Sequence, residues 1–385
     1  MKIKILLLLI VASILSCQKN DKKTGLTHSL QNKLDSLITE IKVPGANLSV
    51  ILPSGDSISI SSGLSDVEKQ QPMKPSLLMP SGSIGKTYVT AIAFKLIENN
   101  QIKLTDKVVD ILKDDWLQKI PNINDLTIDM ILSHTSGLPR YEYIDQLWLD
   151  IKKNPLISQT IYDRLKYVFG AKPLHEPGKG WGYSDTNFIL LGAIIEKITG
   201  KAYYDNFRQM LSEIQILKHT IPSDKPNIRN LASGYTGFLT NYGFPEKVTE
   251  NQTMIMNPQM EWCGGGVAST TTDLARWAKL LYEGKVVSEQ SVYKIVTPCN
   301  QQTDLLDSAK YGYGTFIWDD SKFTLYGHTG FFPGYKSIVQ YSPKYKFSIA
   351  MQINRDNPNS QKSLNVLLEP IRNEIVSYLE QTSSN

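Results

Sequence analysis

Ser83 and Lys86 stand three residues apart in Ser83-Ile84-Gly85-Lys86, a hydroxyl followed by an amine at the start of an apolar run. Positions i and i+3 of an α-helix share a face, so a helix beginning near Ser83 brings the Lys86 amine within reach of the Ser83 oxygen and its proton. The run through Tyr88, Val89, Ala91, Ile92, Ala93, Phe94, Leu96 and Ile97 predicts that helix, whose N-terminal dipole favours an oxygen losing its proton. The chemistry on offer is acyl transfer to serine. The same spacing recurs in Ser16-Cys17-Gln18-Lys19 and Ser291-Val292-Tyr293-Lys294, so spacing alone selects nothing. Gly82 and Gly85 set the Ser83 copy apart, because they leave room for a substrate beside the backbone.

Two further groups of polar residues follow in order. Tyr183-Ser184-Asp185 lies mid-chain, and His328-Thr329-Gly330 lies near the end, within Gly327-His328-Thr329-Gly330-Phe331-Phe332-Pro333-Gly334. Tyr143-Ile144-Asp145 and Tyr203-Tyr204-Asp205 match the tyrosine pattern by chance, and the place of Tyr183 between the other motifs singles it out. A tyrosine near a lysine ammonium would have its pKa lowered and would accept the Ser83 proton; neutral Lys86 is the competing base.

Ser-x-x-Lys, a tyrosine motif and His-Thr-Gly in this order resemble the penicillin-recognising serine hydrolases. The nearest branch holds class C β-lactamases, D-alanyl-D-alanine carboxypeptidases and β-lactamase-like esterases. Leu132-Ser133-His134-Thr135-Ser136-Gly137-Leu138 is similar to a loop of that branch. So is Gly264-Gly265-Gly266-Val267-Ala268-Ser269-Thr270 with Asp273-Leu274-Ala275-Arg276 to another of its segments. The resemblance covers residues from about 27 to 380 and implies an α+β fold: an antiparallel sheet flanked by helices, an inserted all-helical region, and the site between them.

It also implies roles. Ser83 is the nucleophile, Lys86 and Tyr183 move its proton, Thr329 of His328-Thr329-Gly330 offers substrate a hydroxyl, and the backbone amides of Ser83 and Phe331 hold the oxyanion. His134 is expected to be structural. Asp185 stands where many relatives carry asparagine; it caps the following helix or sits beside Lys86, and a carboxylate cannot donate to a substrate carbonyl as an amide does. His328 stands where class C β-lactamases usually carry lysine, and an imidazole titrating near neutrality is no fixed cation. The expected activity is therefore a D-alanyl-D-alanine carboxypeptidase-like peptidase or related esterase, with a class C-like β-lactamase as alternative. A peptide carboxylate wants a fixed cation, and near the third motif the sequence offers Lys322 and, further on, Arg355, whereas an ester needs neither and suits Phe331-Phe332. A non-catalytic protein that binds cell-wall fragments is the alternative of another class, and the joint presence of Ser83, Lys86 and Tyr183 argues against it.

The elements that must position these residues are legible in outline. Residues 29–42 read as an amphipathic helix, and Asn47–Leu52 with Ser57–Ser61 across Pro53-Ser54-Gly55-Asp56 as a β-hairpin. Residues from about 100 to 260 read as mostly helical, including a helix over 185–199 stopped by Gly200. Strands are predicted at 311–318, 323–328, 336–341 and 347–354, with turns at Asp319-Asp320 and Ser342-Pro343-Lys344, and a closing helix at about 363–380.

The N-terminus reads as a targeting segment. Lys2 and Lys4 precede the apolar run Ile5–Leu15, shorter than the roughly 20 residues a membrane-spanning helix needs. Ile14-Leu15-Ser16-Cys17 resembles a bacterial lipobox, which implies a signal peptide over 1–16, lipidation of Cys17, a polar tether over 17–26 and a hydrolase domain over 27–385. The expected protein is an envelope lipoprotein held to a membrane by its lipid, acting on a small peptide, ester or β-lactam. A formal charge of +4, or +2 without residues 1–16, is too small to imply nucleic-acid binding. Five histidines without ligand spacing imply no metal, no cofactor is called for, and Cys263 and Cys299 are expected to stay unbridged.

Overall fold

The computed structural model describes residues 2–299, 309–319 and 322–383, with side chains from 22 onward and short of 383. Helix α1 spans Lys2–Ile41, starting well before the expected 29 and taking in the backbone of the expected tether. No proline interrupts it, and the Thr27 hydroxyl donates to Lys23 O at 2.9 Å, one turn back. Leu26, Leu30, Leu34, Leu37 and Ile41 form its buried stripe. The side chain of Cys17 and those of the signal segment 1–16 lie outside the described residues.

Strands β1 (Gly45–Ile51) and β2 (Ser57–Asp66) form the expected hairpin, with Gly55 at φ 89° in its turn, and β2 runs on to meet β3 (Gln71–Pro72). Helix α2 (Gly85–Glu98) is apolar nearly all round and buried nearly all round, as a central helix must be. Helix α3 (Asp185–Thr199) ends at Gly200, whose φ of 67° suits glycine, and α4 spans Thr271–Tyr282.

The strand expected at 311–318 is two, β4 (Lys310–Tyr311) and β5 (Phe316–Asp319). A turn in which Gly312 N donates to Thr315 O, with Gly314 at φ 58°, separates them. Strand β6 (Thr324–Phe332) runs through the whole His-Thr-Gly motif, followed by β7 (Tyr335–Tyr341) and β8 (Ser348–Ile353). Asp320, part of an expected turn, lies outside the described residues. The closing helix is broken at Leu368 into a short turn over Leu364–Leu367 and α5 (Glu369–Ser383), because Pro370 has no N–H to continue the ladder.

The eight strands make one antiparallel sheet in the order β3-β2-β1-β8-β7-β6-β5-β4. Its centre joins the first strand to the last, with Ala46 opposite Ile353 and Ile51 opposite Ser348. Every residue of β1 and β8 is buried, which requires cover on both faces. One face packs Leu48, Ile338 and Met351 against Leu30 and Leu34 of α1 and Ile371 and Ile375 of α5. The other core joins Tyr88 and Phe94 of α2, Trp277 of α4 and Phe188 of α3. Tyr88 and Trp277 stack at 3.8 Å between centroids.

The helical region lies between β3 and β4, as expected. It also holds a three-stranded sheet from Met79–Pro80, Val267–Ser269 and Thr220–Pro222, segments too short to show a periodicity. Cys263 and Cys299 are both free thiols, Cys263 buried against Gly192.

Candidate active site

Ser83 sits in a single helical turn, Gly82–Ile84, that leads directly into α2. Close backbone approaches fix that turn. Gly82 has φ 54°, and a Cβ there would fall 2.4 Å from Phe331 N, so glycine lets the nucleophile turn abut β6 at Phe331. A Cβ on Gly330 would meet Ser81 O at 1.9 Å, and the Ser337 hydroxyl of β7 donates to the same oxygen at 2.7 Å. Ser83 and Phe331, whose amides are the expected oxyanion donors, are thus brought together by glycines that allow their backbones to touch.

Lys86 is fully buried and its Nζ has three acceptors: Ser83 Oγ at 2.9 Å, Gly264 O at 2.5 Å and Asp185 Oδ1 at 2.5 Å. Of the two expectations for Asp185, the place beside Lys86 is the one observed. Ser184 holds the N-cap position of α3, and Asp185 is its first helical residue with the carboxylate turned to the lysine. Gly264 packs over that carboxylate, and a Cβ on Gly85 would strike Gly265 O at 1.7 Å, so the Gly264-Gly265-Gly266 segment closes the lysine in.

Tyr183 corrects an expectation. Its ring centroid is 5.0 Å from Lys86 Nζ, but burial and then the Asp185 charge push its pKa well above the ordinary tyrosine value, and the hydrogen bond to Ser83 does not offset them. The phenol therefore stays protonated at neutral pH, and of the two candidate bases Lys86 is the one whose amine lies 2.9 Å from Ser83 Oγ.

His328 corrects another. It is 1% exposed; Nδ1 donates to Thr329 O at 2.5 Å and Nε2 accepts from the Tyr311 hydroxyl at 3.1 Å. Burial, reinforced by Lys86, pushes its pKa down to about 3, so it is a neutral spacer and not a group that titrates near neutrality. His134 is also buried and kept neutral by burial. Its Nδ1 accepts from Ser184 N at 3.3 Å and Asn187 Nδ2 at 3.0 Å, and its ring packs 4.3 Å from Tyr183.

Ser83, Arg140, Tyr143, Tyr183 and Phe331 line two adjoining chambers. One, of about 360 Å³, is walled by Trp148, Phe238, Met260 and Phe332, with Asp185, Glu142 and Glu261 also on its lining. The other, of about 580 Å³, has a mixed lining that includes His328, Thr329, Gly330, Lys336 and Ser337. Ser83 lies at the junction. Phe331, 41% exposed, meets Phe238 edge to face at 5.6 Å between centroids.

Several of these residues were not singled out in the sequence. Arg140 follows the Leu132–Leu138 loop by two positions; its guanidinium lies 3.7 Å from the Tyr143 centroid and its Nε donates to Glu142 Oε1 at 2.7 Å. Burial outweighs that pairing for Glu142, raising its pKa to about 7, and raises that of Glu261 to about 8. Lys336 lies two residues past Gly334, beyond the end of the quoted motif. Tyr143, discounted as a chance match, lines the cleft, whereas Tyr203 and Tyr204 are core. Lys322 and Arg355, the expected cations, line neither chamber; Arg355 pairs with Glu246 at 2.7 Å.

A serine hydroxyl 2.9 Å from a buried lysine amine, beside an antiparallel sheet and a helical region, fits a serine hydrolase of the β-lactamase/transpeptidase-like fold. The chain belongs to the beta-lactamase family, whose sequence model matches residues 30–369. Penicillin-binding protein 4* of Bacillus subtilis (strain 168) is 27% identical over 326 residues, covering 80% of this chain and 69% of its own. Penicillin-binding protein 4 of Amycolatopsis lactamdurans is 25% identical over 324 residues, 81% of each. D-amino acid amidase from Ochrobactrum anthropi SV3, solved with L-phenylalanine amide, shares the fold with a TM-score of 0.76 at 20% identity, over 93% of this chain and 99% of that one. D-stereospecific amidohydrolase from Streptomyces sp. does so with 0.75 at 20% identity, over 91% and 97%.

Proposed function

We propose that the protein hydrolyses a short peptide or related amide as a D-alanyl-D-alanine carboxypeptidase does, through an acyl-enzyme on Ser83. The observation that carries this reading is the 2.9 Å contact between Ser83 Oγ and Lys86 Nζ at the junction of two chambers, one for each side of a scissile bond. Ser83 Oγ bonds to the carbonyl carbon while its proton passes to Lys86 as the neutral amine; Tyr183 protonates the departing nitrogen and recovers a proton from Lys86. Water then repeats the attack and frees Ser83. Asp185 holds the Lys86 amine in place beside Ser83 Oγ. The relatives named penicillin-binding proteins and the amidases of like fold support an amide substrate.

An ester substrate is the second reading, favoured by the aromatic wall of Trp148, Phe238 and Phe331. Neutral His328 disfavours a β-lactamase that needs a cation at that position. Intact-mass time courses with benzylpenicillin test the nucleophile: an adduct is expected on the wild type and none on Ser83→Ala, and an equal adduct on both would refute it. D-Ala release from a peptide ending in D-Ala-D-Ala, set against turnover of short-chain esters, separates the two readings.

The envelope anchor is proposed on the Ile14–Cys17 sequence alone. Among the described residues no helix is long and apolar enough to cross a membrane. Cys17→Ser is expected to move the protein from the membrane to the soluble fraction; unchanged partitioning would end the proposal.

A further inference from the structure

Lys86 leans on a turn of backbone that one acid side chain closes. Its Nζ donates to Gly264 O at 2.5 Å, and Gly265 O abuts Gly85, where a Cβ would fall 1.7 Å from it, so the wall beside the start of α2 is the main chain of Gly264 and Gly265. Glycines do not hold such a wall by themselves, because no residue has a wider choice of backbone conformations. The segment is also kept from its relaxed form. Trp262 has φ 43°, a left-handed conformation that a bulky residue rarely adopts and that persists only where its surroundings impose it.

Glu261 brackets this turn. Its carbonyl accepts from Gly264 N at 2.8 Å, and its carboxyl Oε2 accepts from Gly266 N at 3.0 Å. Its Oε1 lies against Gly265, where a Cβ would come within 2.1 Å of it. One side chain and its own peptide thus meet Gly264, Gly265 and Gly266 in turn. Glu261 is 7% exposed, so little water competes for the Gly266 amide. Burying a carboxyl is costly unless its oxygens are used, and the use seen here is that amide. On the far side of the turn the Trp262 ring is fixed by Tyr203, 5.9 Å away between centroids, and by the Arg164 guanidinium at 5.4 Å.

We infer that Glu261 is a positioning residue: it fixes the Gly264–Gly266 turn so that Gly264 O joins Asp185 in holding the Lys86 amine beside Ser83 Oγ. The inference rests on the acyl-transfer reading of Ser83 and goes beyond it by naming what keeps Lys86 in line. Glu261 also lines the aromatic chamber, so a direct contact with the acyl group is the competing role, and the test separates the two.

Glu261→Gln keeps an oxygen for Gly266 N. Burial pushes the Glu261 pKa up to about 8, so the neutral amide replaces a group that is largely protonated at neutral pH. Glu261→Asp keeps the acid but falls one methylene short of that N–H. Both are read with two thioesters of a common leaving group, one acetyl and one phenylacetyl, and urea unfolding checks that each variant is folded. Thioesters are activated, so turnover does not depend on peptide specificity. Glu261→Gln is expected to keep kcat within about threefold of wild type. Glu261→Asp should lower kcat by about 10- to 100-fold on both thioesters alike with KM little changed, the loss that a small misplacement of a catalytic group produces. Should Glu261→Asp not fold, Glu261→Met, which fills the space without an acceptor, is read in its place by the same outcomes. A loss in Glu261→Gln as large as in the shortened variant, wild-type kcat in Glu261→Asp, or a loss confined to the phenylacetyl thioester overturns the assignment. If the wild type shows no Ser83-dependent turnover of either thioester, the acyl-transfer reading fails first, before any Glu261 variant is compared.

Discussion

Tyr183 differs from Lys86 in what its surroundings leave it able to do. Its hydroxyl is buried, and both burial and the Asp185 carboxylate disfavour the phenolate, so at neutral pH it carries a proton and is not a base that takes one from Ser83. Tyr183→Phe should therefore injure reactions in proportion to the basicity of the leaving group. Peptide turnover is expected to fall by about 10²–10⁴, the range for losing a general acid, while an activated thioester loses less than about tenfold. Equal losses on both would make the tyrosine a packing residue only. At this scale the sequence yielded what order and spacing encode: Ser83, Lys86 and Tyr183 converge as their motifs implied. It did not yield the states of Tyr183 and His328, which depend on burial by residues far away in the chain such as Tyr311 and Phe316. Nor did it yield Arg140 and Lys336, because a lone cation has no local pattern and acquires meaning only from the cavity it borders.

The start of α2 is the element on which the site depends. It is wedged between β6 and the Gly264–Gly266 segment with no room for a methyl group, since a Cβ on Gly85 would overlap the Gly265 carbonyl. Gly85→Ala must push the two backbones apart and break the contact from Lys86 to Gly264 O. It is expected to lower kcat by at least about tenfold and to destabilise the fold by about 1–3 kcal/mol, the cost of overpacking, as read by denaturant unfolding. Wild-type activity would mean that the segment yields freely. Long elements with clear periodicity were legible, as in the β1–β2 hairpin and the helix ending at Gly200. Boundaries failed where a local break decides them: the glycine turn that divides β4 from β5, and Pro370, which splits the last helix. The small sheet at Met79–Pro80 was illegible because two residues carry no period, although it anchors the strand leading to Ser83 through Ser81 N to Val267 O.

For the molecule as a whole, its buried ionisable groups set how stability varies with pH. His134 and His328 fold as neutral imidazoles, so their unfolded forms bind extra protons below about pH 6.5 and stability falls as the pH is lowered. Glu142 and Glu261 act in the opposite sense: folded with raised pKa values near 7 and 8, they hold protons that the unfolded chain releases above about pH 4.5. The two pairs offset each other between about pH 4.5 and 6.5, and above that window only the carboxyls act. Stability should therefore decline from pH 6.5 to 8, with Glu261 contributing about 2 kcal/mol at roughly 1.4 kcal/mol per pH unit. Glu261→Gln should flatten that decline in urea titrations, and an unchanged slope would place the proton elsewhere. The sheet has a separate consequence for synthesis. Its central seam is β1 against β8, the first and the last strand among the described residues, so the nascent chain carries two open strand edges until residues 348–353 emerge. A product stopped short of residue 348 would expose the edges of β1 and β7 as sticky templates for aggregation.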